Sequence, residues 1–203
     1  MLLLIPVVLA VPLALVCGGS LQALVTLLLR VRGAGFLFAA LAVQVALYLP
    51  PLRSAPLVAH AGGALYVASL GLVAAGALAN WGLGRAARVA ILGVVLNTTV
   101  IIANGGSMPV SAAALRMVRG ARTVHEVADG HLFTNVRLAT PATRLGVLSD
   151  VIPVRIAGGL GNVYSVGDLL LALGVAALIY QAMRHAGGVH PSHPSHPLPD
   201  HRG

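Results

Sequence analysis

From Leu57 to Ala79 the chain runs without an Asp, Glu, Lys or Arg. At about 1.5 Å per helical residue that run is long enough to cross a hydrocarbon core roughly 30 Å thick. Four further apolar runs, Leu2–Val16, Phe36–Leu49, Val89–Ala103 and Val166–Met183, approach the same requirement. A soluble globule has too little interior for five such segments. With 58% hydrophobic and only 9% charged residues, against about 25% charged in ordinary soluble domains, lipid must supply much of the solvent. Mean hydropathy of +0.91 agrees.

All 13 basic residues are Arg, set against five acids, for a formal charge of +8. Nucleic acid is not the partner this implies: the arginines are scattered between apolar runs and form no basic face with aromatic platforms. Membrane topology accounts for them, because cytoplasmic loops collect cationic side chains. The loops after the first, third and fifth runs hold Arg30, Arg32, Arg85, Arg88 and Arg184, whereas the loop after the second holds only Arg53. This predicts an outer N-terminus and a cytoplasmic C-terminus. The segment between runs four and five carries six arginines of its own, which long loops tolerate on translocation.

The expected fold class is therefore all-α: a polytopic membrane helix bundle of about five transmembrane helices, with an interfacial helix and short outer helices. The membrane domain covers 1–183, with spans at about 2–18, 36–50, 57–79, 89–103 and 166–183 and an extramembrane segment at 104–165. Ser20 caps the interfacial helix, and Arg30 and Arg32 close it favourably against the helix dipole. Pro50-Pro51 ends the second span, and Trp81 marks an interface. In the outer segment Ser111 caps a helix over Ala112–Val118, Thr123 and Glu126 have capping-box spacing, and Thr140-Pro141 starts another helix. Gln44, His60, Asn80, Asn97, Thr98, Thr99 and Gln181 inside the spans read as interhelical glue.

Residues 184–203 form a disordered His/Pro-rich tail, with His190, His193 and His196 recurring every third residue. In polyproline II geometry these stand about 9 Å apart, too far to share one metal ion without bending the chain. A solvated tail is the expectation, weak metal binding the alternative. Cys17 is the one cysteine, so no intrachain disulfide forms. Val16 before it, and no basic residue upstream, argue against an acylated lipoprotein cysteine.

Three motifs could carry chemistry. Asn104-Gly105-Gly106 followed by Met108-Pro109 leaves span four, where the glycines permit positive φ and Pro109 prevents continuation of the helix. It reads as a helix C-cap, or alternatively as a small anion or peptide-end site. Asp150, with Pro153 behind it, and Asn162, Ser165, Gly167 and Asp168 frame the entrance to span five. Ser165 and Asp168 have capping-box spacing; the alternative is a proton or cation site shared by Asp168 and Asp150. No catalytic residues are assigned, since HExxH, GxSxG, Walker A and CxxC signatures are all absent, and no cofactor is expected.

Read together, Asn104-Gly105-Gly106-x-Met108-Pro109-Val110-Ser111, Asp150-x-Ile152-Pro153 and Asn162-Val163-x-Ser165-x-Gly167-Asp168 resemble an uncharacterised family of small bacterial integral membrane proteins, domain of unknown function 5317. The resemblance spans roughly residues 1–183, including Gly18-Gly19-Ser20-Leu21, and excludes the tail. It implies a multi-pass protein of the bacterial inner membrane and carries no activity. The functional expectation is a non-enzymatic membrane protein, embedded in the lipid bilayer, whose outer segment docks an unknown protein partner or caps the bundle. A small transporter or channel subunit in which Asp150, Asp168 and Asn97 line a polar path, with homo-oligomers completing a pore, is the alternative. An intramembrane hydrolase ranks last.

Overall fold

A computed structural model describes residues 4–49, 56–129, 136–155 and 161–185. The loop with Pro50, Pro51 and Arg53 and the tail with His190, His193 and His196 lie outside the described residues. Eight α-helices are described: α1 (Leu4–Val16), α2 (Leu21–Arg30), α3 (Ala34–Tyr48), α4 (Pro56–Leu78), α5 (Arg85–Ala103), α6 (Ala112–Arg119), α7 (Ala121–Ala128) and α8 (Val166–His185). The long helices form a membrane bundle whose outward side chains, among them Leu9, Leu13, Phe38 and Leu41, are exposed, as lipid-facing positions should be.

The described helices show fewer full-length spans than the five expected. Among the described residues three helices are long and apolar enough to cross a membrane, Ala61–Leu78, Arg85–Ala103 and Val166–Arg184, and up to four if α2 and α3 form one broken span bent by 82°. The expected first span is described over 13 residues, Leu4–Val16, roughly 20 Å of helix against the roughly 30 Å of a full crossing. The expected second span is short too, at 15 residues. The break between α2 and α3 comes at Gly33, which caps α3 at a φ of 70°.

Packing follows small residues, since lipid offers no hydrophobic drive for helices to associate and close van der Waals contact must do so instead. α8 lies antiparallel to α5 with backbone against backbone. A Cβ on Gly174 would come within 2.8 Å of Ala90 Cα and 2.9 Å of Ala86 O, and one on Gly93 within 2.6 Å of Leu171 N. Ala86, Ala90, Gly93 and Asn97 thus form one face of α5, facing Gly167, Leu171 and Gly174. α3 meets α4 where Gly76 leaves room for Leu37, and Gln44 Nε2 donates to Ser69 Oγ at 3.1 Å across that pair. The turn between α1 and α2 joins α8 through Ser20 N, which donates to Met183 O at 3.0 Å.

The segment 104–165 is not purely helical, which is a correction. β1 (Met108–Val110) pairs in parallel with β2 (Val136–Leu138), and β3 (Ile152–Arg155) pairs antiparallel with β4 (Gly161–Tyr164). Ser111 does cap α6, its Oγ accepting from Ala114 N at 3.3 Å. The other two expected caps fail. α7 starts after Gly120 at a φ of 84°, so Thr123 lies inside the helix, donating to Arg119 O, and Glu126 pairs with Arg122 at 2.8 Å. Thr140-Pro141 opens only a turn, closed by Thr140 N donating to Thr143 Oγ1 at 2.8 Å.

Two apolar clusters explain the arrangement. Val110, Ala114, Leu115, Val124, Val127 and Val163 form the core of the segment itself. Leu70, Val100, Ile101 and Met108, with Tyr66 and Leu148 against them, join it to α4 and α5. The segment therefore sits as a small α/β cap on one end of the bundle.

Candidate functional site

The junction between cap and bundle is polar. Near its C-terminal end α5 carries Asn97, and β4 runs straight through Ser165 into α8, bringing Ser165 and Asp168 against it. Asn97 Nδ2 donates to Asp168 Oδ1 at 2.7 Å, and Ser165 Oγ donates to Asn97 Oδ1 at 2.8 Å. Ser165 N donates to Asp168 Oδ2 at 3.2 Å, and Asp168 N donates to Ser165 Oγ at 3.0 Å. The last two bonds are a reciprocal capping box at the start of α8. The first two extend it to a neighbouring helix. Both Asp168 oxygens are thereby engaged, beside the positive end of the helix dipole.

Gly167 lets this triangle close. A Cβ there would collide with the Asn97 carboxamide and come within 2.8 Å of Gly93 O.

Asp150 enters from the cap. Its backbone lies beside β1: Asp150 N donates to Pro109 O at 3.0 Å, and Ser111 N donates to Asp150 O at 2.9 Å. Burial first, and the charge of Asp168 second, push its carboxyl up from 3.8 to about 7. Desolvation and a neighbouring like charge both disfavour the ionised form. Asp150 Oδ1, Ser149 Oγ and Tyr164 OH are buried with no hydrogen-bond partner among the described residues. Buried polar groups normally find partners, so this edge of the cap holds unused donor and acceptor capacity.

The glycine turn is built as a helix stop. Gly105 and Gly106 take φ of 70° and 88°, and Gly106 N donates to Ile101 O at 2.9 Å, satisfying a terminal carbonyl as a left-handed cap does. Asn104 reaches across: its Nδ2 donates to Arg144 O at 2.9 Å and to Val100 O at 2.8 Å, while Arg144 N donates to Asn104 Oδ1 at 3.0 Å. Its amide is thus occupied by the cap backbone. Beside it a cavity of about 210 Å³ is lined by Asn104, Ser107, Pro109, Arg137 and neighbours. Met108 is in the cluster joining cap to bundle, whereas Pro153 lies exposed on β3 and Asn162 stands opposite Val154 in β4.

Asn97, Ser165, Gly167 and Asp168 therefore converge, with Asp150 close enough to feel the Asp168 charge; Asn104, Gly105 and Gly106 form a separate clamp at the end of α5. Sequence reasoning groups Asn97 with Asp150 and Asp168 as the lining of a transport path, not as part of the cap of α8, and it does not single out Ser149 or Tyr164. A carboxamide inside an apolar helix was the available signal for Asn97. Nothing in the sequence marked Ser149 or Tyr164. Among the described residues no three His, Cys, Asp or Glu side chains cluster as a metal site would require.

A family model described as a family of unknown function (DUF5317) matches residues 28–180. No curated protein and no solved structure matches the chain.

Proposed function

The chain belongs to the DUF5317 family of unknown function, and from its geometry we propose that it is a non-enzymatic multi-pass membrane protein whose segment 104–165 caps one end of the helix bundle. The observation that carries this reading is the stitching of cap to bundle. Asn104 clamps Arg144 from the end of α5, Met108 shares a core with Leu70, Val100 and Ile101, and β4 continues into α8 without a hinge. A bacterial inner membrane, with the cap outside and the C-terminus cytoplasmic, is part of the proposal. It is supported by the gathering of Arg30, Arg32, Arg85, Arg88 and Arg184 at the opposite end. Exposed Met117, Leu145 and Val147 are the apolar side chains of the cap that a protein partner, or a second copy of the chain, would cover.

The test is Asn104→Ala in the full chain reconstituted in lipid nanodiscs, followed by hydrogen exchange. Amides of 136–155 should lose protection while those of α4, α5 and α8 keep theirs. Unchanged protection of 136–155 would overturn the cap reading.

A second reading, proton or cation handling by a small transporter or channel subunit, is favoured by one observation: half-buried Asp150 feels the charge of Asp168 and has a buried oxygen left unpaired among the described residues. Proteoliposomes separate the two. Flux driven by an imposed gradient that is lost in Asp150→Asn supports transport; absence of flux in the wild type leaves the cap role alone.

A further inference from the structure

At the pole opposite the cap, the end of α2 and the 3₁₀ turn Trp81–Leu83 border a half-open cavity in two adjoining parts. One lobe, about 520 Å³, is lined by Arg30, Arg32 and Asn80; the other, about 580 Å³, by Arg30, Thr26 and Gln181. They share Arg30, Gly82 and Leu83. Each lobe is in the size range of small-ligand sites.

The rim is held in place by Asn80, whose Nδ2 donates to Arg32 O at 2.8 Å and to Gly76 O at 2.7 Å while its Oδ1 accepts from Arg32 N at 2.9 Å. The charge has no internal answer. The carboxylates among the described residues, Glu126, Asp129, Asp150 and Asp168, all lie in the cap or at the cap end of α8, and none is near Arg30 or Arg32. Beside the cavity α2 exposes Leu28 and Leu29, and Arg88 stacks on the Trp81 ring 5.5 Å from its centroid, as residues at headgroup depth do.

We propose that this cavity binds the phosphate-bearing headgroup of an anionic phospholipid. Arg30 and Arg32 meet the phosphate oxygens, Gln181 donates to and Thr26 Oγ1 accepts from the glycerol, Asn80 keeps the rim in place, and Leu28 and Leu29 lie along the acyl chains. Basic pockets between membrane helices recognise anionic headgroups through such pairing.

Trp81 is the chain's single tryptophan and so reports on this site alone. The experiment uses the full chain in phosphatidylcholine vesicles, quenched by brominated phosphatidylglycerol or by brominated phosphatidylcholine at equal mole fraction. The wild type should prefer the anionic quencher by roughly fivefold for each arginine engaged, and Arg30→Gln with Arg32→Gln should remove that preference. Gly82→Leu is the decisive variant. Gly82 lines both parts of the cavity and a Cβ on it meets nothing within 4 Å, so leucine adds bulk at the lining without a clash and without altering charge, and the preference should fall as it does on losing the arginines. Thr26→Phe repeats the blockade from α2, should Gly82→Leu fold poorly. A wild type with no preference overturns the proposal, and so does a preference surviving both blocking variants, which would mean diffuse attraction to the arginines. Loss of the preference on adding inorganic phosphate, but not chloride at matched ionic strength, would assign the site to soluble phosphate and overturn the lipid.

Discussion

Asp168→Ala and Asp168→Asn should part company, and the reason lies in the direction of four hydrogen bonds. Alanine removes the acceptors for Asn97 Nδ2 and Ser165 N, stranding two donors in a part-buried site. An unsatisfied donor costs about 1–3 kcal/mol and a lost N-cap interaction typically about 1 kcal/mol. Because the Ser165 amide belongs to both counts, the combined loss is about 2–4 kcal/mol. Asparagine keeps an oxygen for Ser165 N but presents an amino group to Asn97. Rotating the Asn97 carboxamide by half a turn repairs this in part: its oxygen then accepts from the new side chain and its amino group donates to Ser165 Oγ, but the Ser165 hydroxyl hydrogen loses the acceptor it had on Asn97. Asp168→Asn, which strands one hydroxyl donor instead of two amide donors, should therefore cost about 1–2 kcal/mol, less than alanine. Stability is read by detergent-titrated unfolding of the purified chain, followed through protease resistance of α8. A double-mutant cycle with Asn97→Ala should return a coupling of about 1–2 kcal/mol for the aspartate. Asn costing as much as Ala, or a cycle without coupling, would refute the description of Asp168 as a cap tied to α5.

Three further outcomes follow from the same geometry. Asp150 has its folded-state pKa raised to about 7, so its contribution is favourable below about pH 4 and is lost as pH climbs to about 7, at up to about 1.4 kcal/mol per unit. Asp150→Asn should flatten that part of the stability–pH curve and stabilise the chain at pH 8, as unfolding across the pH range will check. Gly174→Ala should cost about 1–3 kcal/mol by forcing α8 off Ala86 and Ala90, whereas Gly71→Ala, which meets nothing within 4 Å, should lie within about 0.5 kcal/mol of wild type. Gly167→Ala should resemble Asp168→Ala, since its methyl displaces the Asn97 side chain; thermal unfolding in nanodiscs compares the three glycines.

Much of this molecule is legible in its residues. Ser20, Ser111 and the Ser165–Asp168 pair are read as caps from spacing alone, because a cap is a local contract between a side chain and backbone two or three residues on. The glycine turn after α5 is legible for the same reason. What was misread was non-local or marginal in length. Thr123-x-x-Glu126 and Thr140-Pro141 have cap spacing, but Gly120 started the helix earlier in one case, and in the other Thr140-Pro141 opens a turn after β2. Strands of three or four residues carry too little alternation to announce themselves beside short amphipathic helices.

Composition by itself decided that this chain lives in a membrane, since a transfer free energy summed over long apolar runs does not depend on how the helices meet. Tertiary structure decided which runs are spans and which residues act together. Whether α2 and α3 make one broken crossing depends on an 82° bend. That Asn97 completes a cap 71 residues away depends on Gly93 and Gly167 letting two backbones touch. A hydrogen bond between helices is an effect of register, and register is set by packing, which no local run of sequence contains.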